Sequence, residues 1–191
     1  MVKGTWKRDG PAVFGYQPGW LWWAAALMVV ALGGAFLARQ VNRQLVNQRY
    51  IDQRIVHHAE QQGLDVDLVR AVVEAESGGD WRAESDAGAR GLMQVTPIAL
   101  KDVQLRDGVG PGDLFDPDYN LRVGTLYLSH LLDRFEGDVA LALAAYHMGP
   151  TRVSRGLSKY PGLSSREMID KHAGPQTRAY VEKVLSMIEA E

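Results

Sequence analysis

Apolar residues recur at intervals of three and four along most of the chain beyond residue 50. This spacing is typical of helices with one buried face, and no run there alternates convincingly with the period of two that a half-buried strand requires. The pattern predicts a mainly α fold, with a small β-hairpin or an irregular loop at residues 80–115, where Gly, Pro and Asp are dense. Five helices are predicted. The first ends near Gly63 and the second at Gly78-Gly79, and the third follows Asp116-Pro117. The fourth runs from Asp138 to Gly149-Pro150, and the fifth begins at Pro175.

An apolar run of a different kind precedes this pattern. Residues 19–38 read GWLWWAAALMVVALGGAFLA and contain no charge. About 20 such residues cross the bilayer core as a helix, and the cluster of Trp at one end suits the headgroup level. The run predicts an uncleaved transmembrane signal anchor over residues 19–38. A signal peptide cleaved after Ala35 and a buried core helix are the alternatives.

The remaining boundaries divide the chain around this span. Residues 1–18 are predicted as a short N-terminal cytoplasmic tail, residues 39–49 as a helical stalk, and residues 50–191 as a compact domain of ordinary size. Basic residues flank the span on both sides, so the positive-inside rule leaves its orientation open. The orientation has to come from the function.

Composition narrows the chemistry. The net charge is −2, which gives no strong global field to recruit nucleic acid. The chain has no Cys, which excludes disulfides, thiol catalysis and Cys-based zinc sites. His57, His58, His130 and His172 show no metal-ligand spacing, and His57-His58 is predicted to lie at the surface. Neither a metal nor another cofactor is implied.

Two glutamates stand at the end of one predicted helix, in the sequence AVVEAESGGD at residues 71–80. At about 100° per residue, Glu76 falls in the same sector as Val72 and Val73, whereas Glu74 lies about 200° from Val72. Because Glu76 projects from the apolar stripe, loss of water and the negative end of the helix dipole both predict a raised pKa. A protonated carboxyl group at a pocket edge suits the general acid of glycosidic cleavage. A structural carboxylate held by capping or ion pairing is the alternative.

Four ordered segments resemble one known family. The signature AESDAGARGLMQVTP, which follows Glu76-Ser77-Gly78, resembles that of the soluble lytic transglycosylase family, whose domain is related to goose-type lysozyme. The segments NLRVGTLYLSHLL, ALAAYHMGPTRV and QTRAYVEKV resemble the later parts of that family, in the same order. The resemblance covers about residues 50–190. It implies a lysozyme-like α-helical catalytic domain with a cleft, here preceded by one N-terminal transmembrane helix.

The resemblance also implies roles for individual residues. Glu76 is expected to be the single catalytic acid and base. Ser85 and Gln94 are expected to hydrogen-bond the N-acetyl group and the substrate, Met93 to pack beside a sugar, Tyr146 to line the cleft and Tyr180 to orient Glu76. Plain packing in the core is the alternative for Met93, Tyr146 and Tyr180.

One position departs from the family. Members commonly have Asn where this chain has His147, which differs from Asn in size and protonation. A contact between this position and the substrate is therefore expected to be kept, weakened or made pH-sensitive.

The implied reaction is cleavage of the β-1,4 bond between N-acetylmuramic acid and N-acetylglucosamine in peptidoglycan, with formation of 1,6-anhydromuramic ends. Ordinary glycosidases use two carboxylates. Asp80, Glu84 and Asp86 are predicted to be exposed in a polar loop, so a one-carboxylate site assisted by the substrate's own N-acetyl group fits better. A lysozyme-like hydrolase and a non-catalytic glycan-binding scaffold, with His147 marking lost activity, are the alternatives.

The implied partners follow from this reaction. They are peptidoglycan glycan strands, the bacterial inner membrane through residues 19–38, and proteins of an envelope machine as further candidates. Peptidoglycan lies outside the inner membrane, so the protein is expected to be single-pass, with its catalytic domain in the periplasm.

Overall fold

The structure is a computed structural model that describes residues 20–189, without the side chains of residues 20–21, 24–26, 31, 35 and 40–46. The predicted tail at residues 1–18 lies outside the described residues. Over the described residues the chain forms eight α-helices. They are α1 (Trp20–Gln61), α2 (Val66–Ser77), α3 (Pro97–Asp107), α4 (Pro117–Arg134), α5 (Val139–Met148), α6 (Pro150–Lys159), α7 (Ser165–His172) and α8 (Pro175–Glu189).

The chain divides into two units, Met1–Leu45 and Val46–Glu191. Among the residues that the structure describes, no helix combines the length and the apolar character needed to cross a membrane. The transmembrane anchor predicted over residues 19–38 is therefore not confirmed and stays a prediction.

Helix α5 is at the centre of the second unit. All five residues from Leu141 to Ala145 are buried, as expected of a helix that is apolar on every side. It packs against α4, α6, α7 and α8, while α2 packs against α8 and α3 against α4. This arrangement places the end of α2 beside α8, where the candidate site lies.

Capping residues fix the ends of the helices that the sequence predicts. The side chains of Asp116 and Asp138 accept hydrogen bonds from the first turns of α4 and α5. Gly78 ends α2 with φ of 60°, in the left-handed region that glycine adopts without strain. Pro175 opens α8, as predicted.

Three helices are absent from the sequence prediction. Helices α3 and α6 contain only two buried residues each, so neither has an apolar stripe long enough to recognise. Pro150, interpreted as the end of α5, also begins α6. Helix α7 is short but carries a capping box between Ser164 and Glu167, a signal that the sequence does contain.

The segment between α2 and α3 is an irregular loop, as one of the two predicted alternatives has it. It contains two isolated β-bridges, Glu84 with Arg90 and Arg90 with Val95, rather than a hairpin. The prediction of loop structure is wrong for residues 97–107, because Thr96 caps α3 and Pro97 starts it, and it is confirmed again for residues 108–115.

The surface position predicted for the His57-His58 pair is correct for His57 and wrong for His58. The His58 side chain is buried, and its Nε2 lies 2.9 Å from Oδ1 of Asp118. Arg54 binds the same carboxylate, so the three side chains join the end of α1 to α4. Burial lowers the pKa of His58, against the opposing effect of Asp118.

Candidate active site

Glu76 occupies the last turn of α2 and is partly exposed, whereas Glu74 is exposed, as helical phase predicts. The end of the helix is tied to the following loop by Ser77. Its hydroxyl donates to the carbonyl oxygen of Leu92 at 2.8 Å, and the Gly79 N–H donates to the same hydroxyl at 3.2 Å. Glu76 is therefore held where α2, the loop and α8 meet.

Burial is the main influence on the carboxyl group of Glu76. It raises the pKa to about 7, and the nearby Tyr180 hydroxyl and the positive charge of Lys183 act in the opposite direction. Lys183 is held close by a hydrogen bond from Nζ to the Ala75 carbonyl oxygen, at 3.3 Å. Glu76 can therefore both give and take a proton near neutral pH.

Two tyrosines form a helical wall beside Glu76. The Tyr146 hydroxyl donates to the Met93 carbonyl oxygen at 2.8 Å. The Tyr180 hydroxyl is buried and has no hydrogen bond of ordinary geometry to the described residues, although it lies close enough to lower the pKa of Glu76. Burial raises the pKa of both phenols, and the charge of Glu76 adds to this effect. Both phenols stay protonated when Glu76 ionises.

The loop between α2 and α3 forms a second wall, in which Gln94 lines one pocket together with Tyr146. The Ser85 hydroxyl accepts the Ala89 N–H at 3.0 Å, which leaves its own proton free to donate. Gln94 has a positive φ of 44°, and its Nε2 donates at 3.1 Å to the carbonyl oxygens of Ala83 and Gly91. The amide oxygen of Gln94 remains available as an acceptor.

The prediction that Met93 packs beside a sugar requires an exposed side chain, and the Met93 side chain is fully buried. It packs against Gly124, where an added Cβ would lie only 2.4 Å from the Met93 sulfur. The backbone of Met93 contributes to the site instead, because its carbonyl oxygen accepts a hydrogen bond from the Tyr146 hydroxyl.

Asn120 is a site-positioning residue that the sequence prediction misses. It is fully buried in α4, accepts the Met93 N–H at 2.9 Å and donates at 2.8 Å to the carbonyl oxygens of Arg90 and Leu114. Gly91 packs directly on it, and an added Cβ there would lie 2.3 Å from the Asn120 amide nitrogen. Asn120 therefore fixes the loop that carries Gln94.

His147 stands at the open side of the tyrosine wall. Its Nδ1 lies 3.0 Å from the Thr177 hydroxyl, and its ring lies 4.8 Å from that of Tyr180, tilted by 33°. Partial burial of the ring lowers its pKa. A pocket of about 180 Å³ joins this residue to Gln94 and Tyr146, so three of the predicted site residues share one depression.

This geometry supports acid and base chemistry by a single group. Asp80, Glu84 and Asp86 are exposed, as predicted, and Glu84 is engaged with Arg90 at 2.9 Å. Within residues 20–189 no group of three His, Cys, Asp or Glu is placed to hold a metal ion.

The comparisons with known proteins agree with this fold. The family model of the transglycosylase SLT domain matches residues 53–169, so the chain belongs to that family. Among its relatives is the soluble lytic murein transglycosylase of Salmonella typhimurium, 33% identical over 121 residues, which are 61% of this chain and 19% of that protein. The transglycosylase of Enterobacteria phage PRD1 is 37% identical over 119 residues, 60% of this chain and 42% of that protein.

A solved structure has a fold similar to that of this chain. An inactive mutant of the lytic transglycosylase Slt from Pseudomonas aeruginosa matches with a TM-score of 0.66 and 34% identity, covering 71% of this chain and 23% of that one. The predicted mainly α fold of this family is confirmed. The chain spans only 19% of the length of the Salmonella relative.

Proposed function

We propose that this protein is a peptidoglycan lytic transglycosylase that uses Glu76 as its only catalytic acid and base. The observation that carries the proposal is a single carboxyl group with a pKa of about 7 near two protonated tyrosines, of which Tyr146 lines the pocket of about 180 Å³. Membership of the transglycosylase SLT domain family supports the same reaction class.

The chemistry follows from one group that changes protonation state. Protonated Glu76 gives its proton to the β-1,4 oxygen, and the bond from that oxygen to C1 of N-acetylmuramic acid breaks. The substrate's N-acetyl oxygen stabilises the positive charge at C1. The Glu76 carboxylate then takes the proton of the C6 hydroxyl, whose oxygen attacks C1 and closes the 1,6-anhydro ring. No water is consumed, and Glu76 ends protonated.

The surrounding residues have supporting roles in this proposal. The free proton of Ser85 and the free amide oxygen of Gln94 are suited to bind the N-acetyl group, one as donor and one as acceptor. Tyr180 orients the Glu76 carboxyl group. His147 contacts the substrate where it enters the pocket, and Met93 holds Tyr146 through its carbonyl oxygen.

The cellular setting is also part of the proposal. Residues 19–38 anchor the protein in the bacterial inner membrane as a single span, with residues 1–18 in the cytoplasm, residues 39–49 as a stalk and residues 50–191 in the periplasm. The uncharged run in the sequence and the location of peptidoglycan support this assignment. Membrane fractionation with and without residues 1–38 tests the anchor, because loss of the span should release the protein into the soluble fraction.

The catalytic proposal is tested by Glu76→Gln, which keeps the shape of the side chain and removes its proton chemistry. Glu74→Gln is the matched control, since it removes an exposed carboxylate two residues away. Purified full-length proteins are incubated with sacculi, and the released muropeptides are identified by mass spectrometry. We expect 1,6-anhydro products from the wild type and the control, and a loss of at least about 100-fold in Glu76→Gln.

The other outcomes identify the alternative functions. Products with reducing muramic ends would show a lysozyme-like hydrolase instead. Equal inactivity of the wild type and Glu76→Gln would contradict the enzymatic proposal and favour a glycan-binding scaffold.

A further inference from the structure

The end of α2 that carries Glu76 has no cation of its own. A helix concentrates negative partial charge at its C-terminus, where a basic side chain is favourable. The last turn of α2 contains no basic residue, and Glu76 adds a carboxyl group to it. This end of the helix therefore favours a positive group from another part of the chain.

One carbonyl group in the same turn also lacks its usual helical partner. In a continuing helix the Ala75 carbonyl oxygen would accept the Gly79 N–H, but that N–H donates to the Ser77 hydroxyl at 3.2 Å. Nζ of Lys183 takes its place and donates to the Ala75 carbonyl oxygen at 3.3 Å. Lys183 therefore caps α2 from α8, across 108 positions of the chain.

The charge of Lys183 is available to act on this end of α2. None of the ion pairs among the residues that the structure describes includes Lys183. Lys183 and Tyr180 are three residues apart in α8, so their side chains lie on the same side of that helix. Helix α8 therefore approaches Glu76 with a phenol and an ammonium group from successive turns.

The other titratable groups around Glu76 do not supply this charge. Burial raises the pKa of the Tyr146 and Tyr180 phenols, which stay neutral. His147 lies against Tyr180, and partial burial lowers its pKa. Burial has the largest influence on Glu76 and raises its pKa to about 7, whereas the positive charge of Lys183 lowers it. Loss of Lys183 would therefore make the carboxylate form of Glu76 less stable.

We propose that Lys183 is a positioning residue for the reaction: it caps α2 from α8, holds Glu76 in place and stabilises the Glu76 carboxylate. This inference rests on the proposed function, in which Glu76 becomes a carboxylate when it protonates the β-1,4 oxygen. The group must stay ionised until the C6 hydroxyl gives up its proton. A fixed positive charge beside Glu76 stabilises this state, because an opposite charge favours the ionised form.

The kinetic test compares three variants of the full-length protein on soluble peptidoglycan strands. Lys183→Met removes the charge and the hydrogen-bond donor but keeps an unbranched side chain, whereas Lys183→Arg keeps both. Lys101→Met is the control, since it makes the same substitution at an exposed position in α3.

We expect kcat to fall roughly tenfold in Lys183→Met, with little change in KM, and to change less than about twofold in the other two variants. The alkaline limb of the kcat/KM profile should move to higher pH in Lys183→Met alone, because Glu76 then holds its proton more tightly. An unmoved limb in Lys183→Met, or an equal loss of kcat in Lys183→Arg, would overturn the proposal.

A titration measures the effect of Lys183 on Glu76 without the reaction. The NMR signal of the Glu76 side-chain carboxyl carbon, assigned by its absence in Glu76→Gln, is followed against pH in the full-length protein. We expect its midpoint to lie at higher pH in Lys183→Met and to be unchanged in Lys183→Arg and Lys101→Met. Added salt should raise the midpoint in the wild type and have less effect in Lys183→Met, because salt screens an exposed charge.

The two experiments distinguish a failure of this inference from a failure of the proposed function. Reducing muramic ends from the wild type, with a limb and a midpoint that depend on Lys183, would contradict the transglycosylase reaction and retain the role of Lys183 toward Glu76. Formation of 1,6-anhydro products, with kcat and the midpoint unchanged in Lys183→Met, would support the reaction and overturn the role of Lys183.

Discussion

The two walls beside Glu76 are held in place by different forces. The loop wall between α2 and α3 relies on backbone hydrogen bonds, such as Gly91 N–H to Ala83 and Val95 N–H to Arg90, both at 2.9 Å. The helical wall of Tyr146 and Tyr180 relies on the packing of α5 and α8 in the apolar core.

This difference separates two tasks. The loop wall carries hydrogen-bonding groups whose positions depend on unusual backbone angles, so its residues are suited to hold a substrate. Burial raises the pKa of Glu76, and Tyr180 of the helical wall lowers it. Substitutions in the loop wall should therefore reduce stability and substrate binding. Substitutions in the helical wall should change the pH dependence of activity.

The largest effect is expected from Gly91→Ala in the loop wall. Gly91 has a φ of 75°, and an added Cβ would lie 2.3 Å from the Asn120 amide nitrogen and 2.4 Å from the Leu114 carbonyl oxygen. Backbone strain and overpacking together predict a loss of about 4 kcal/mol in the free energy of unfolding, measured by denaturant titration.

The neighbouring Gly88 provides the control for backbone strain. Its φ is 76°, but an added Cβ would meet no atom within 4 Å. Gly88→Ala should therefore cost only about 1–2 kcal/mol, because it lacks the steric clash. Equal losses in the two variants would show that Asn120 can move away and does not hold the loop rigidly.

The next largest effect is the pH dependence of the unfolding free energy that comes from Glu76. The folded-state pKa of Glu76, about 7, lies above its usual 4.5. A raised folded-state pKa contributes stability that is fully present below pH 4.5 and lost as the pH rises through 7. The wild type should therefore lose about 3 kcal/mol of unfolding free energy between pH 4.5 and pH 8 through this group.

Glu76→Gln should lack this loss, because glutamine stays neutral at every pH. Denaturant titrations of the wild type, Glu76→Gln and Glu74→Gln at pH 5 and pH 8 measure it, and other titrating groups cancel in the comparison. Glu74→Gln should behave as the wild type, since Glu74 is exposed. A parallel pH dependence in Glu76→Gln would contradict the raised pKa.

The two walls also differ in how far the sequence predicts them. Glu76 could be selected over Glu74 because both lie in one short helix, where the phase between neighbours is known. The role of Asn120 could not be predicted, because its partners Arg90, Met93 and Leu114 lie 6 to 30 positions away along the chain. The burial of Met93 in the loop depends in the same way on Gly124, which lies in α4.

The fold follows the same rule. Helices α4, α5 and α8 have long apolar stripes or runs and clear starts, so their pattern predicts them. Helices α3 and α6 contain two buried residues each, and most of their stabilisation comes from neighbours that periodicity does not identify.

The smallest effect is expected from Tyr180→Phe in the helical wall. The Tyr180 hydroxyl lowers the pKa of Glu76, so its removal should raise that pKa above about 7. Because the general acid acts when protonated, the alkaline limb of the kcat/KM profile should move to higher pH. Stability should change little, since the buried hydroxyl has no hydrogen bond of ordinary geometry to the described residues. The control is Tyr160→Phe at the C-cap of α6, which should leave the alkaline limb unchanged. If the alkaline limb does not move in Tyr180→Phe either, Tyr180 contributes packing and does not act on the Glu76 carboxyl group.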